Sequence, residues 1–181
     1  MRKDKNFKEL LADVEAIVFD VDGVMTDGGI MPLSDGDFIR KYNAKDGYAI
    51  AYAVRRGYKV CVISGGYGTL LRARLEKLGV TKIYLGCMNK IEAMEEFFRE
   101  YDIDPAYTIY MGDDIPDLEC MEMVGIPVCP ADACAEVQEA ARYVSEFNGG
   151  CGAVRDIVEQ TLRSQDEWAK DRVGVIGTAS R

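Results

Sequence analysis

The sequence predicts an α/β protein, a doubly wound parallel sheet with a small β-hairpin inserted after the first strand. Three observations carry this. Short β-rich runs alternate with longer segments of helical period along the 181 residues. The runs are nearly continuous in apolar residues, as strands covered on both faces require. Polar signals cluster directly after several of these runs, where open α/β sheets bind their ligands. The length suits one domain, expected to span 1–181.

The first strand is AIVFDV at 16–21, apolar up to its last turn. GGIMPLSDGDFIRKYN at 28–43 then breaks the rhythm as two short strands about Ser34-Asp35-Gly36, a hairpin turn signal. DGYAIAYAVRRG, at 46–57, has apolar residues at helical spacing. YKVCVIS (58–64) is the next strand and GTLLRARLEKLG (68–79) the next helix, closed by glycine. KIYLG (82–86) leads to NKIEAMEEFFREYD (89–102), and YTIYMG (107–112) leads to DIPDLECMEMVG (114–125). GIPVC (125–129) is the last clear strand, and a final helix over about 152–168 follows NGGCG. The tail from about 169 to 181 has no clear period. This order implies right-handed crossovers.

Composition narrows the chemistry. A net charge of −9 argues against a nucleic-acid partner, whose phosphates are met by Lys and Arg. No apolar run is long enough to span a membrane, and MRKDKNFKELLADVEA has no apolar signal core, so a cytoplasmic protein without a membrane partner is expected. None of the six cysteines is spaced C-x-x-C, which argues against a zinc ribbon and for reduced core residues. The chain has no histidine. Ser-His-Asp triads, Cys-His dyads and HExxH zinc sites are therefore excluded, and no cysteine has the arginine six positions on that a thiol phosphatase loop needs. Catalysis, if any, falls to carboxylates, Lys, Ser/Thr or a metal.

Those residues stand where strands end. Asp20 and Asp22 close the first strand, Ser64 with Gly65 and Gly66 the second, Lys90 follows the third, and Gly112-Asp113-Asp114, with Asp117 one turn on, follows the fourth. Residues two apart on extended chain point the same way, so Val21 enters the core while Asp20 and Asp22 lean toward one site. Adding Asp113 crowds like charges that cannot all ionise cheaply without a cation. A hard divalent ion, Mg²⁺ by preference, answers that. The glycine turn after Ser64 and the helix behind it offer N–H groups to a phosphate. A cation at a helix start is disfavoured by the helix dipole, which Lys90 tolerates best if it faces acids and a phosphate. In this arrangement Asp20 attacks phosphorus, Asp22 does acid–base work, and Lys90 and Ser64 stabilise the transferring oxygens.

D-x-D-G-V at 20–24, Ser64, Lys90 and G-D-D-x-x-D at 112–117 resemble the four motifs of the haloacid dehalogenase superfamily of phosphatases, in the right order. The resemblance implies Asp20 as nucleophile, Asp22 as acid/base, Mg²⁺ held by Asp20, the Asp22 backbone carbonyl and Asp113, and Asp114 and Asp117 as supporting acids. FDVDGVMTDGGI, YNAKDGYAI, GDDIPDLECM and NGGCGAVRDIVE further resemble the 3-deoxy-D-manno-octulosonate 8-phosphate (Kdo 8-phosphate) phosphatases and their nonulosonate 9-phosphate relatives. That group lacks a cap domain and forms homotetramers through the hairpin, with a neighbouring subunit completing each pocket. A sugar-acid phosphate substrate follows, with Arg74 and Lys77 as candidates for its carboxylate. Nonulosonate-type members tend to carry an acid where Gly66 stands, which tilts the reading toward the octulosonate, while Lys77 keeps the other open. A different class, a phosphorylatable receiver domain, shares the acids, Lys and Mg²⁺. Its phosphoacceptor normally follows the third strand, where this chain leads to Lys90.

Overall fold

A computed structural model describes residues 6–170. The tail expected from about 169 lies, from 171 on, outside the described residues. After a single turn, α1 (Phe7–Leu10), the chain enters β1 (Ala16–Phe19), the hairpin β2 (Thr26–Pro32) and β3 (Phe38–Tyr42), and α2 (Ala44–Arg55). There follow β4 (Lys59–Ser64), α3 (Thr69–Leu78), β5 (Lys82–Leu85), α4 (Lys90–Tyr101) and β6 (Thr108–Met111). The last third holds α5 (Leu118–Met123), β7 (Ile126–Cys129), α6 (Ala135–Ala140), β8 (Tyr143–Val144) and α7 (Ala153–Ser164).

Six strands form one parallel sheet in the order β5-β4-β1-β6-β7-β8, and β2 and β3 pair antiparallel beside it. β1 is central: Phe19 lies beside Val62 of β4 and Met111 of β6. Its alternation divides the core in two. Ile17 and Phe19 join Ile50 of α2, Leu75 of α3 and Val154 of α7 on one face; Ala16 and Val18 join Met94 and Phe97 of α4 on the other. Because the connection from β1 runs toward β4 and the connection from β6 runs the other way, toward β7, a crevice opens between the carboxyl ends of β1 and β6.

Some expectations shift. The hairpin starts at Thr26 rather than 28, with a bulge between Thr26 and Ile30 across Gly28 and Gly29. The segment 114–125 is not one helix. Residues 115–117 form a 3₁₀ turn around Pro116 before α5 begins. The last helix stops at Ser164, where the chain turns back: Gln165 Nε2 donates to the carbonyls of Leu11 and Val14, at 2.9 and 3.0 Å. The short elements α6 and β8 were not expected.

The hairpin is fastened to α3. Gly68, the N-cap of α3, has no side chain to cap with, and Asp37 supplies the missing carboxylate from the hairpin turn. Its Oδ2 accepts from Thr69 Oγ1 at 2.7 Å and Leu70 N at 3.1 Å, and its Oδ1 accepts from Phe38 N at 2.7 Å. The hydroxyl of Thr69 and the backbone N–H groups of Phe38 and Leu70 hold the Asp37 carboxyl down at about 2, from 3.8. This contribution is present above pH 3.8 and is lost only as pH falls through about 2. Asp37→Ala is expected to speed amide hydrogen exchange at Leu70 roughly tenfold, the scale of a lost N-cap. Unchanged exchange at Leu70 would exclude the cap.

Candidate active site

The strand ends bring together residues distant in sequence. Asp20, Asp22, Ser64, Gly65, Gly66, Lys90, Asp113, Asp114 and Asp117 all line one cleft of about 1010 Å³. Val21 is fully buried between the two leading acids, as the strand alternation predicts. The chain then bends: Gly23 has φ +90°, and a Cβ there would lie 2.0 Å from Asp113 Oδ2, so only glycine lets Asp113 close over the loop. Thr26, completely buried, steadies this loop by accepting from Gly28 N at 3.2 Å and donating to Val21 O at 3.3 Å.

Asp117 is the hub. Its Oδ1 accepts from Lys90 Nζ at 2.7 Å and Tyr110 Oη at 2.6 Å, and its Oδ2 from Asp113 N at 3.0 Å and Asp114 N at 3.4 Å. Four donors fill about all the lone-pair sites of a carboxylate. Burial, followed by the Asp117 charge, holds the Tyr110 phenol well above its ordinary value, so it stays a donor. Lys90, the first residue of α4, also lies 3.2 Å from Asp20 Oδ2. Burial works against its ammonium, but Asp20 and Asp117 outweigh burial and hold it above its ordinary value. The cation at a helix start is thus met by two acids, as its position suggested.

The remaining carboxylates are not balanced by one lysine. One oxygen each of Asp20, Asp113 and Asp117 falls within 4.8 Å of the others. Burial and then Asp117 push the Asp20 carboxyl up to about 6, against the pull of Lys90. Burial and then Asp20 push Asp113 up to about 7. Asp20 Oδ1 is buried with no hydrogen-bond partner. An orphaned carboxylate oxygen beside a second unneutralised acid fits a hard divalent cation. Asp117, already saturated by N–H and O–H donors, suits a supporting role better than a ligand. The Asp22 side chain stands outside this cluster.

This crowding has a measurable sign. Both carboxyls are held above their reference of 3.8, so these two sites bind more protons in the folded protein than in the unfolded chain between pH 3.8 and about 7. Stability then falls as pH rises through that window. Stripped of divalent cations, the protein is expected to melt at lower temperature at about pH 8 than at about pH 5, with added Mg²⁺ raising the melting temperature chiefly at the higher pH. A melting temperature that climbs with pH in chelator would contradict the crowding.

Ser64 is 1% exposed, and its Oγ accepts from Gly66 N at 3.0 Å, which leaves its hydroxyl hydrogen free to donate. The helix start behind this turn differs from expectation: Asp37 already occupies the first N–H groups of α3, so only the Ser64–Gly66 turn reaches the cleft. Arg74 and Lys77 are not brought to the cleft of a single chain. The Arg74 guanidinium lies 5.8 Å over the Tyr42 ring, and Lys77 is exposed. In turn, Arg40 was missed: from β3 it grips both oxygens of Asp22. The signal was a charged residue in the inward register of a strand, between Phe38 and Tyr42.

Among known proteins, residues 76–157 match the model of the haloacid dehalogenase-like hydrolase family. The 3-deoxy-D-manno-octulosonate 8-phosphate phosphatase KdsC of Yersinia pestis is 35% identical over 156 residues, 86% of this chain and 83% of that protein. The crystal structure of the 3-deoxy-D-manno-octulosonate 8-phosphate phosphatase from Yersinia pestis superposes with a TM-score of 0.85 at 34% identity, covering 88% of this chain and 86% of that one. A Moraxella catarrhalis phosphatase of the same name, solved with a magnesium ion, a phosphate ion and a Kdo molecule, gives 0.83 at 26% identity over 88% of this chain and 91% of that one.

Proposed function

Since the chain belongs to the haloacid dehalogenase-like hydrolases, and within them to the Kdo 8-phosphate phosphatases, as a phosphoric monoester hydrolase, we propose that it removes phosphate from a sugar-acid phosphate, Kdo 8-phosphate first, with Mg²⁺ as cofactor. The observation that carries the reading is Lys90, its side chain 10% exposed, between Asp20 and Asp117, beside an Asp20 oxygen that has no partner. That arrangement offers a nucleophile, a fixed cation and a place for a second one. A regulatory receiver domain is set aside by the family.

Asp20, Asp113 and the Asp22 carbonyl would hold the Mg²⁺, which when bound offsets charge on the carboxylates and the phosphoryl oxygens. Asp20 attacks phosphorus in line; the Asp–O–P bond forms as the ester P–O bond breaks. The leaving sugar oxygen takes its proton from Asp22. Water then attacks the aspartyl phosphate, Asp22 takes its proton, and phosphate departs as Asp20 is regenerated. Lys90 and the Ser64 hydroxyl hold the phosphoryl oxygens through both steps, and the Ser64–Gly66 turn seats them.

A homotetramer with shared sites is part of the same proposal. Ile30, Met31 and Ile39 on the hairpin are about half exposed or more, at 53, 63 and 48%, and would bury against a second copy. Arg74 and Lys77 would then serve a neighbour's cleft. No helix among the described residues is long and apolar enough to cross a membrane.

The deciding experiment compares Kdo 8-phosphate, a nonulosonate 9-phosphate and hexose phosphates on purified enzyme with Mg²⁺. Kdo 8-phosphate is expected to lead in kcat/KM by about tenfold or more, the range one set of pocket contacts supplies. A lead for the nonulosonate ester selects the alternative substrate, and a lead for hexose phosphates rejects the sugar-acid reading.

A further inference from the structure

Asp22 does not stand free in the cleft. Arg40 Nε donates to its Oδ1 at 2.7 Å and Arg40 Nη2 to its Oδ2 at 3.1 Å. A guanidinium fork on a carboxylate fixes distance and plane together, which a point charge cannot do. The Arg40 side chain is only 3% exposed, although Ile39 and Lys41 on either side of it face solvent. The Phe38 ring lies 5.7 Å from its Cζ, and Tyr67 O lies 3.5 Å from Nη1.

The opposite wall is shaped to admit the fork. A Cβ at Gly66 would lie 2.7 Å from Arg40 Nη2, 2.9 Å from Asp22 Oδ2 and 3.2 Å from Ser64 Oγ. The missing side chain at 66 is the space that the ion pair fills. The fork uses two of about four lone-pair sites on the carboxylate, so an Asp22 oxygen can hold its place against Arg40 and still exchange a proton with the cleft.

We propose that Arg40 is a positioning residue for the reaction: its fork holds the Asp22 carboxylate on the leaving-group side, apart from the Asp20–Asp113–Asp117 cluster, and so makes the seating of the hairpin a condition of proton transfer. This rests on the assignment of Asp22 as the acid/base. Released from the fork, Asp22 can swing toward solvent or toward the cation, and in either place it is out of hydrogen-bond reach of the leaving oxygen.

The test exploits leaving groups. A sugar alkoxide needs a proton to depart; p-nitrophenolate does not. Arg40→Gln is expected to lower kcat about 100-fold on the best sugar phosphate the wild-type enzyme accepts, the scale of general acid catalysis. The first equivalent of p-nitrophenolate from p-nitrophenyl phosphate should still appear within about threefold of the wild-type rate, because that step asks no proton of Asp22. Arg40→Lys, which keeps the positive charge but loses the planar fork, should show the same selective loss. Equal losses on both esters, or a loss confined to KM, would overturn the proposal. Asp22→Asn separates the two layers. If it shows the selective loss and the two Arg40 variants do not, the fork alone is refuted. If Asp22→Asn shows none, the acid/base assignment falls and the proposal with it. Neither result depends on which sugar acid is the substrate.

Discussion

Asp20→Asn is expected to lower kcat by about four orders of magnitude or more, the scale on which removal of a nucleophile is felt. The backbone at this position is held at the carboxyl end of the central strand, with Asp20 N donating to Met111 O at 3.1 Å, so the variant keeps its fold. Its stability should move the opposite way from its activity. Removing one charge relieves Asp113 and Asp117, so metal-free Asp20→Asn should melt higher than the metal-free parent near pH 8, and should gain less from Mg²⁺. A general loss of structure would lower both quantities together. Retention of more than about a tenth of the parent kcat would remove Asp20 from the nucleophile role.

Lys90→Met is expected to damage stability and turnover at once. It leaves two acids in the cleft floor without their cation; stranding a buried charge in this way commonly costs about 3 kcal/mol or more. Turnover should fall by about 100- to 1000-fold through loss of charge stabilisation on the phosphoryl oxygens. The two effects can be separated. Asp117→Asn in the Lys90→Met background removes the stranded charge while retaining an acceptor for Tyr110, so part of the lost stability should return. Turnover should not return with it. Additive effects on stability, with no recovery in the double variant, would mean that Lys90 and Asp117 are not coupled as their 2.7 Å contact implies.

The parts of the molecule legible in the sequence were those set by local pattern. β1, β4, β6 and β7 were readable because they are buried on both faces and so nearly continuous in apolar residues, while β5, at the sheet edge, is only half-buried. Lys90 was readable because a cation at a helix start goes against the dipole and asks for a reason. What stayed hidden depends on partners far along the chain. The Asp37 carboxylate caps a helix 32 residues away, and nothing near Asp37 announces it. Arg40 finds Asp22 across 18 residues, through a hairpin whose own residues look like an exposed ribbon. β8 has two residues, Tyr143 and Val144, too few for any period to register. The stretch after Asp113 has helical spacing, yet Pro116 and the inward turn of Asp117 delay α5 to Leu118, so the site itself sets where that helix starts. Arg74 and Lys77 share a helix, but Arg74 packs on Tyr42, and one chain gives neither of them a route to the cleft.

The empty wall at Gly66 also constrains redesign. Because the guanidinium of residue 40 and any side chain at 66 would claim the same volume, a side chain at 66 would require the Arg40 side chain to shift. An engineer who enlarges residue 66 should therefore redesign the hairpin strand at Arg40 together with the turn. In this chain the hairpin and the turn after Ser64 are fitted to each other as a pair.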